Sequence, residues 1–188
     1  MGSAIFTSVG WKMMETFTIQ DFFRIGICRD IPELLPNRND GISLNLGAGN
    51  KPIGNSIPLD YPKWDADLMA IPYDNCSVVQ IHAIHFLEHV RDPVKVLHEM
   101  QRVLIYGGHA NIVVPYYNSN LNAQELDHKH NFCEDTWAAL FRQSMYYSKN
   151  NIKWEFEIHA NFMMAVHERN MCLYTQLQKV KKNGKEKT

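Results

Sequence analysis

Four short stretches of this 188-residue chain carry residue types at spacings that can do chemistry. The first is Leu44-Asn45-Leu46-Gly47-Ala48-Gly49-Asn50, with Asp60 eleven residues beyond Gly49. Glycines that close a buried strand let backbone approach a ligand, because no Cβ intervenes. A carboxylate ending the next strand can accept hydrogen bonds from both hydroxyls of an adenosine ribose. The second stretch is Asp67-Leu68-Met69-Ala70-Ile71-Pro72. There a carboxylate can take the exocyclic amine of an adenine while a backbone N–H meets a ring nitrogen. Taken singly, each stretch fits a plain tight turn or a polar strand end equally well. The third and fourth are His85-Phe86-Leu87-Glu88-His89 and His128-Lys129-His130, which offer imidazoles and a carboxylate.

The spacing His85, Glu88, His89 also fits a zinc hydrolase, in which both histidines bind the metal and the glutamate activates water. That chemistry needs a continuous helix and a third, distant ligand. Here the motif follows an apolar run and ends at Asp92-Pro93, which leaves little more than one helical turn. The glycine turn and the two aspartates would then have no task. No metal site is expected, and Glu88 and His89 are read as bracing a turn by hydrogen bonds.

The elements that must position these groups can be read from periodicity. Ile42 to Leu46 is a buried strand running into the glycine turn, and Ile57 to Asp60 is a second, short one. Only ten residues, Gly47 to Ser56, separate Leu46 from Ile57, too few for a full crossover helix. A very short third strand is expected over Ala66 to Met69, and a richer one over Ser77 to Ile84. Asp92 can cap a helix with Pro93 at its first position, and Val94, Leu97 and Leu104 mark its apolar side. Gly107-Gly108 is read as its stop, and His109 to Val114 as the next buried strand.

Glu134 to Met145 predicts a second helix, with Trp137, Leu140, Phe141 and Met145 as its stripe. The period then changes to two: Ile152, Trp154, Phe156 and Ile158 alternate with Lys153, Glu155, Glu157 and His159. Met171 to Val180 is the expected antiparallel partner. Buried runs separated by helices argue for an α/β fold with a doubly wound, mostly parallel sheet. The expected division is a helical lead-in over 1–40 (helix Thr18 to Ile31), one domain over 41–181, and a basic tail over 182–188.

Composition narrows the function classes. The chain is 45% hydrophobic and 21% charged, with no apolar run long enough to span a membrane. A net charge of −1 gives no global attraction to nucleic acid, so a nucleic-acid partner is not expected. Cys28, Cys76, Cys133 and Cys172 are widely spaced, which suits reduced thiols in a cytoplasmic protein. No signal-peptide pattern opens the chain. Nothing in the residues assigns an oligomeric state.

Taken in order, the segments from about Ile42 to Tyr116 resemble a small branch of the class I S-adenosylmethionine-dependent methyltransferases. The marks are L-N-L-G-x-G, a short passage to a strand-end Asp, D-L-x-x-I-P, and an H-x-L-E-H-V turn before a helix. The resemblance implies a Rossmann-like methyltransferase fold with a shortened first crossover and S-adenosylmethionine as cofactor. It implies that Leu46, Gly47, Ala48 and Gly49 line the methionine and ribose part of the cofactor. Asp60 would hold the ribose, Asp67 and Leu68 the adenine, and Ile84 and His85 would face the sulfonium.

The loop after the strand ending at Pro115 lies where such folds bind ligands. Tyr116, His128 and His130 are therefore candidates for touching the methyl acceptor, and His85 and His130 for the general base. Val114-Pro115-Tyr116-Tyr117 lacks the polar opening of the signature for amino-group methylation of bases, and no Pro-Cys nucleophile follows Ile84. A small-molecule acceptor, a sugar or another metabolite, is the expectation. A cofactor-binding protein without catalysis and a nicotinamide oxidoreductase are the rival classes. The latter wants a third glycine where Pro52 stands.

Overall fold

The structure is a computed structural model that describes residues 38–49, 53–141, 153–167 and 170–181. Six strands form one sheet: β1 (Ile42–Leu46), β2 (Ile57–Leu59), β3 (Val78–Ile84), β4 (Leu104–Pro115), β5 (Phe156–His167) and β6 (Asn170–Lys179). Their order across the sheet is β2-β1-β3-β4-β6-β5. The pairs β1–β2, β1–β3 and β3–β4 are parallel, whereas β6 runs antiparallel to both β4 and β5. The described helices are α1 (Pro93–Val103), the short α2 (Asn120–Ala123) and α3 (Glu134–Phe141).

One sheet face is apolar. Leu44, Leu46, Ile81, Ala83, Ala110, Ile112, Val114, Leu173 and Leu177 all belong to a core with Val96, Leu97 and Met100 of α1 and with Trp137 and Leu140 of α3. Helix α1 starts as its sequence demands: Asp92 Oδ1 accepts the Lys95 N–H at 3.0 Å, and Pro93 needs no partner at the first position. The opposite face of the same strands presents Ser43, Asn45, Gln80, His82, Asn111 and Gln176, all buried. Part of this face is wired together rather than packed as hydrocarbon. Asn111 Oδ1 accepts from Tyr174 Oη at 3.0 Å and from Gln176 Nε2 at 2.9 Å, and Asn111 Nδ2 lies 3.5 Å from His82 Nδ1.

Several boundaries differ from the sequence expectation. Ala66 to Leu68 form turns, not a third strand, because Asp65 draws the chain round: its side chain takes the Asp67 N–H and its carbonyl the Met69 N–H. Gly107-Gly108 does not stop α1. The helix ends at Val103, Leu104 is already extended, and both glycines lie inside β4, where the register against β3 shifts. Strand β5 begins at Phe156 and continues well past the alternating stretch to His167, because β6 offers it a partner along that whole length. The Thr18 to Ile31 helix, Met145 at the end of the α3 pattern, and the 182–188 tail lie outside the described residues.

The short first connection is real: β1 and β2 pair in parallel, Leu44 opposite Ile57 and Leu46 opposite Leu59, with only ten residues between them. Between β2 and β3 the chain makes turns, and Arg102 of α1 pins them. Its guanidinium donates to the carbonyls of Ile71 and Tyr73, each at 2.8 Å, and to Asn75 Oδ1 at 2.9 Å. Glu99, paired with Arg102 at 2.8 Å, accepts the Ile71 N–H at 3.0 Å.

Candidate functional site

The parallel strands β1, β2 and β3 end at one edge, so whatever follows each of them meets there. After β1, Gly47 and Gly49 both adopt the left-handed conformation, with φ of 65° and 54°. A Cβ at Gly47 would lie 2.5 Å from the Phe86 ring, whereas one at Gly49 would meet no atom of the described residues within 4 Å. The turn is thus packed on Phe86 at Gly47, and no described residue fills the space at Gly49. After β2, Asp60 reaches back: one carboxylate oxygen accepts the Gly49 N–H at 2.6 Å and the other accepts the Tyr61 N–H at 2.8 Å. Each oxygen retains a lone pair for a further donor.

Asp67 goes elsewhere along the edge. Its Oδ1 accepts the Arg91 N–H at 2.6 Å, its Oδ2 lies 3.5 Å from Arg91 Nε, and Lys95 Nζ donates to its carbonyl at 3.2 Å. Leu68 beside it is exposed. Asp60 is therefore joined to Gly49 by a direct hydrogen bond, while Asp67 hydrogen-bonds at the start of α1.

After β3, Ile84 is half-buried and His85 turns the chain with a φ of 50°. Such a conformation in a non-glycine residue is uncommon and marks a point the surroundings hold in place. The His85 N–H donates to the Val113 carbonyl at 2.8 Å, Nδ1 lies 3.2 Å from Glu88 Oε1, and Nε2 lies 3.8 Å from Cys172 Sγ. Glu88 is fully buried. Residues 87–89 form a turn rather than a helix, so the continuous helix a zinc hydrolase built on His85, Glu88 and His89 would need is not there. Cys172 had no signal in the sequence: it reaches His85 only because β6 inserts beside β4.

The acceptor candidates separate. Tyr116 donates its hydroxyl to Glu134 Oε2 at 2.9 Å, and burial together with that bond pushes its pKa up to about 12. His130 Nε2 donates to the Val90 carbonyl at 3.0 Å, which places it beside Arg91 and not beside His85. His128 packs edge-on against His89, with ring centroids 4.7 Å apart, and Nδ1 donates to the Asn122 carbonyl at 3.1 Å.

A family model for the methyltransferase domain matches residues 52–112. No curated protein matches the chain. Among solved structures, a chain of the Haloferax volcanii complex between the Trm112 methyltransferase activator and the methyltransferase is similar at a TM-score of 0.58 and 15% identity, over 80% of this chain and 87% of that one. An S-adenosylmethionine-dependent methyltransferase from Mesorhizobium loti gives 0.55 and 15% identity, over 79% of this chain and 95% of the other. One from Thermotoga maritima gives 0.53 and 14%, over 84% and 90%. At these identities the likeness speaks for fold, and the fold it describes is a six-stranded mixed sheet with an antiparallel end. The methyltransferase-domain model thus matches residues 52–112, less than half of the chain, and the sheet has the plan of the solved methyltransferase structures it resembles.

Proposed function

We propose that the chain binds S-adenosylmethionine at the carboxyl edge of β1, β2 and β3 and transfers its methyl group to a small-molecule acceptor. The observation that carries this reading is the bond from Gly49 N–H to Asp60. It brings a glycine turn and a strand-end carboxylate into one cradle of the kind an adenosine needs. The residues fit that group: no described residue stands where a Gly49 side chain would, and the Asp60 oxygens keep acceptor capacity for two ribose hydroxyls. Leu46, Gly47 and Ala48 would line the methionine side, and Asp67 and Leu68 the adenine side.

The bound cofactor supplies a methyl group on a positively charged sulfur. The chain then has to align an acceptor and dispose of a proton. Orientation alone supplies on the order of 7–11 kcal/mol of such a barrier. His85 is the first candidate for proton transfer: its Nδ1 faces the Glu88 carboxylate at 3.2 Å, which holds the ring, and its Nε2 lies 3.8 Å from Cys172 Sγ. His130, the second candidate base, donates to the Val90 carbonyl through Nε2, and it remains, like Tyr116 and His128, a candidate for touching the acceptor. No described helix is long and apolar enough to cross a membrane, and with Cys76, Cys133 and Cys172 all free thiols a cytoplasmic setting is part of the proposal.

Titration calorimetry with S-adenosylmethionine, S-adenosylhomocysteine and NAD tests the cofactor. Binding of the first two and not of NAD is expected. Asp60→Asn should weaken both by about 10–100-fold, the worth of charged hydrogen bonds to two hydroxyls. Preference for NAD would sink the reading. A screen across hydroxyl, amine and thiol acceptors then tests turnover, and S-adenosylmethionine binding without turnover on any of them would favour a non-catalytic binding protein.

A further inference from the structure

We propose that Glu88, His89 and His128 form a binding site for a divalent transition-metal ion of the zinc class. These three side chains each bring a possible ligand atom within 4.8 Å of the others. The set was not legible as a site in the sequence, where the local motif paired His89 with His85. His128 comes from a loop almost forty residues on, and two bonds of Lys129 bring it there: its N–H donates to the Glu88 carbonyl at 2.7 Å, and its ammonium donates to the His89 carbonyl.

The chemistry around the three residues is that of a metal centre. Glu88 is fully buried, and its Oε2 has no hydrogen-bond partner among the described residues. A buried carboxylate oxygen without a donor is costly, and a cation removes the cost. Its other oxygen is already engaged by His85 at 3.2 Å. Both histidines have the outer support that metal-bound imidazoles have. His89 Nδ1 lies 2.9 Å from Asp127 Oδ2, and His128 Nδ1 lies 3.1 Å from the Asn122 carbonyl. Each ring is thereby fixed in the tautomer that leaves Nε2 as the ligand nitrogen.

Two imidazoles and one carboxylate are the donor set of open zinc sites, which keep a fourth position for water or a substrate oxygen. Ligand atoms around tetrahedral zinc stand about 3.3 Å apart, so no pair of the three need approach by more than about 1.5 Å. This site does not depend on the methyltransferase reading, and it is measured without cofactor or acceptor.

The test uses the full chain, stripped of metal, titrated with zinc against a chromophoric chelator. One zinc per chain is expected. His89→Ala and His128→Ala should weaken it by about 100-fold or more, and Asp127→Asn, a change at an exposed side chain, by about 10–100-fold. His98→Ala, on the exposed side of α1, should leave it unchanged. Cobalt substitution should give a d–d spectrum without a thiolate charge-transfer band. Absence of stoichiometric zinc, affinity retained in Asp127→Asn and in both histidine variants, or a thiolate band pointing to the cysteines would each overturn the proposal.

Discussion

At the scale of single residues, the two glycines after β1 look alike in sequence and differ in what surrounds them. Both have positive φ, where an L side chain costs about 1–2 kcal/mol. Only at Gly47 would the new Cβ also strike Phe86, and overpacking adds about 1–3 kcal/mol. Gly47→Ala is therefore expected to lower stability by about 2–5 kcal/mol, and Gly49→Ala by about 1–2 kcal/mol, in denaturant titrations. In calorimetry Gly49→Ala should nonetheless lose cofactor affinity, because its methyl group would stand in the cradle. Equal destabilisation by the two changes would show that Phe86 is not what shapes this turn. The motif L-N-L-G-x-G disclosed the turn; it could not disclose Phe86, which arrives from the end of β3.

At the scale of elements, the connections around β2 carry less helix than a doubly wound sheet usually has, and side chains of α1 take over part of the work. Arg102 satisfies the carbonyls of Ile71 and Tyr73, and Glu99 the N–H of Ile71. The same ion pair raises the pKa of Arg102 and lowers that of Glu99. Arg102→Met keeps the stem but leaves those carbonyls without donors, and should cost about 2 kcal/mol of stability. A loss within experimental error would mean that water replaces the guanidinium freely. The sequence announced α1 clearly, through Asp92-Pro93 and an apolar stripe. It announced its end poorly, because Gly107-Gly108 reads as a stop and instead lies within β4.

At the scale of the whole molecule, the sheet has two unlike sides: hydrocarbon on one face, and on the other buried amides and His82 beside a smaller apolar cluster with Val113 and Tyr174. Burial lowers the pKa of His82 from 6.5 to about 4. As pH falls below 6.5 the unfolded chain takes up this proton before the folded one, so stability is complete above pH 6.5 and is lost on the way down to pH 4. The loss from this group should reach about 2 kcal/mol by pH 5. His109, also lowered by burial, adds to it with the same sign. Denaturant titrations between pH 7 and pH 5 check this, and His82→Gln should flatten the profile. An unchanged slope in that variant would assign the acid sensitivity to other groups.

Local order was legible in the chain by itself, because hydrophobic periodicity, glycine turns and helix caps act over a few residues. That was enough for β1, β3, α1 and the antiparallel end, and for singling out the glycine turn and Asp60, which one hydrogen bond joins. What the tertiary structure alone decided is which distant groups share a space: Cys172 against His85, His128 against His89 and Glu88, Asp67 beside Arg91 rather than at the glycine turn. Those meetings depend on strand order and loop closure, and neither leaves a trace in the spacing of residues along the chain.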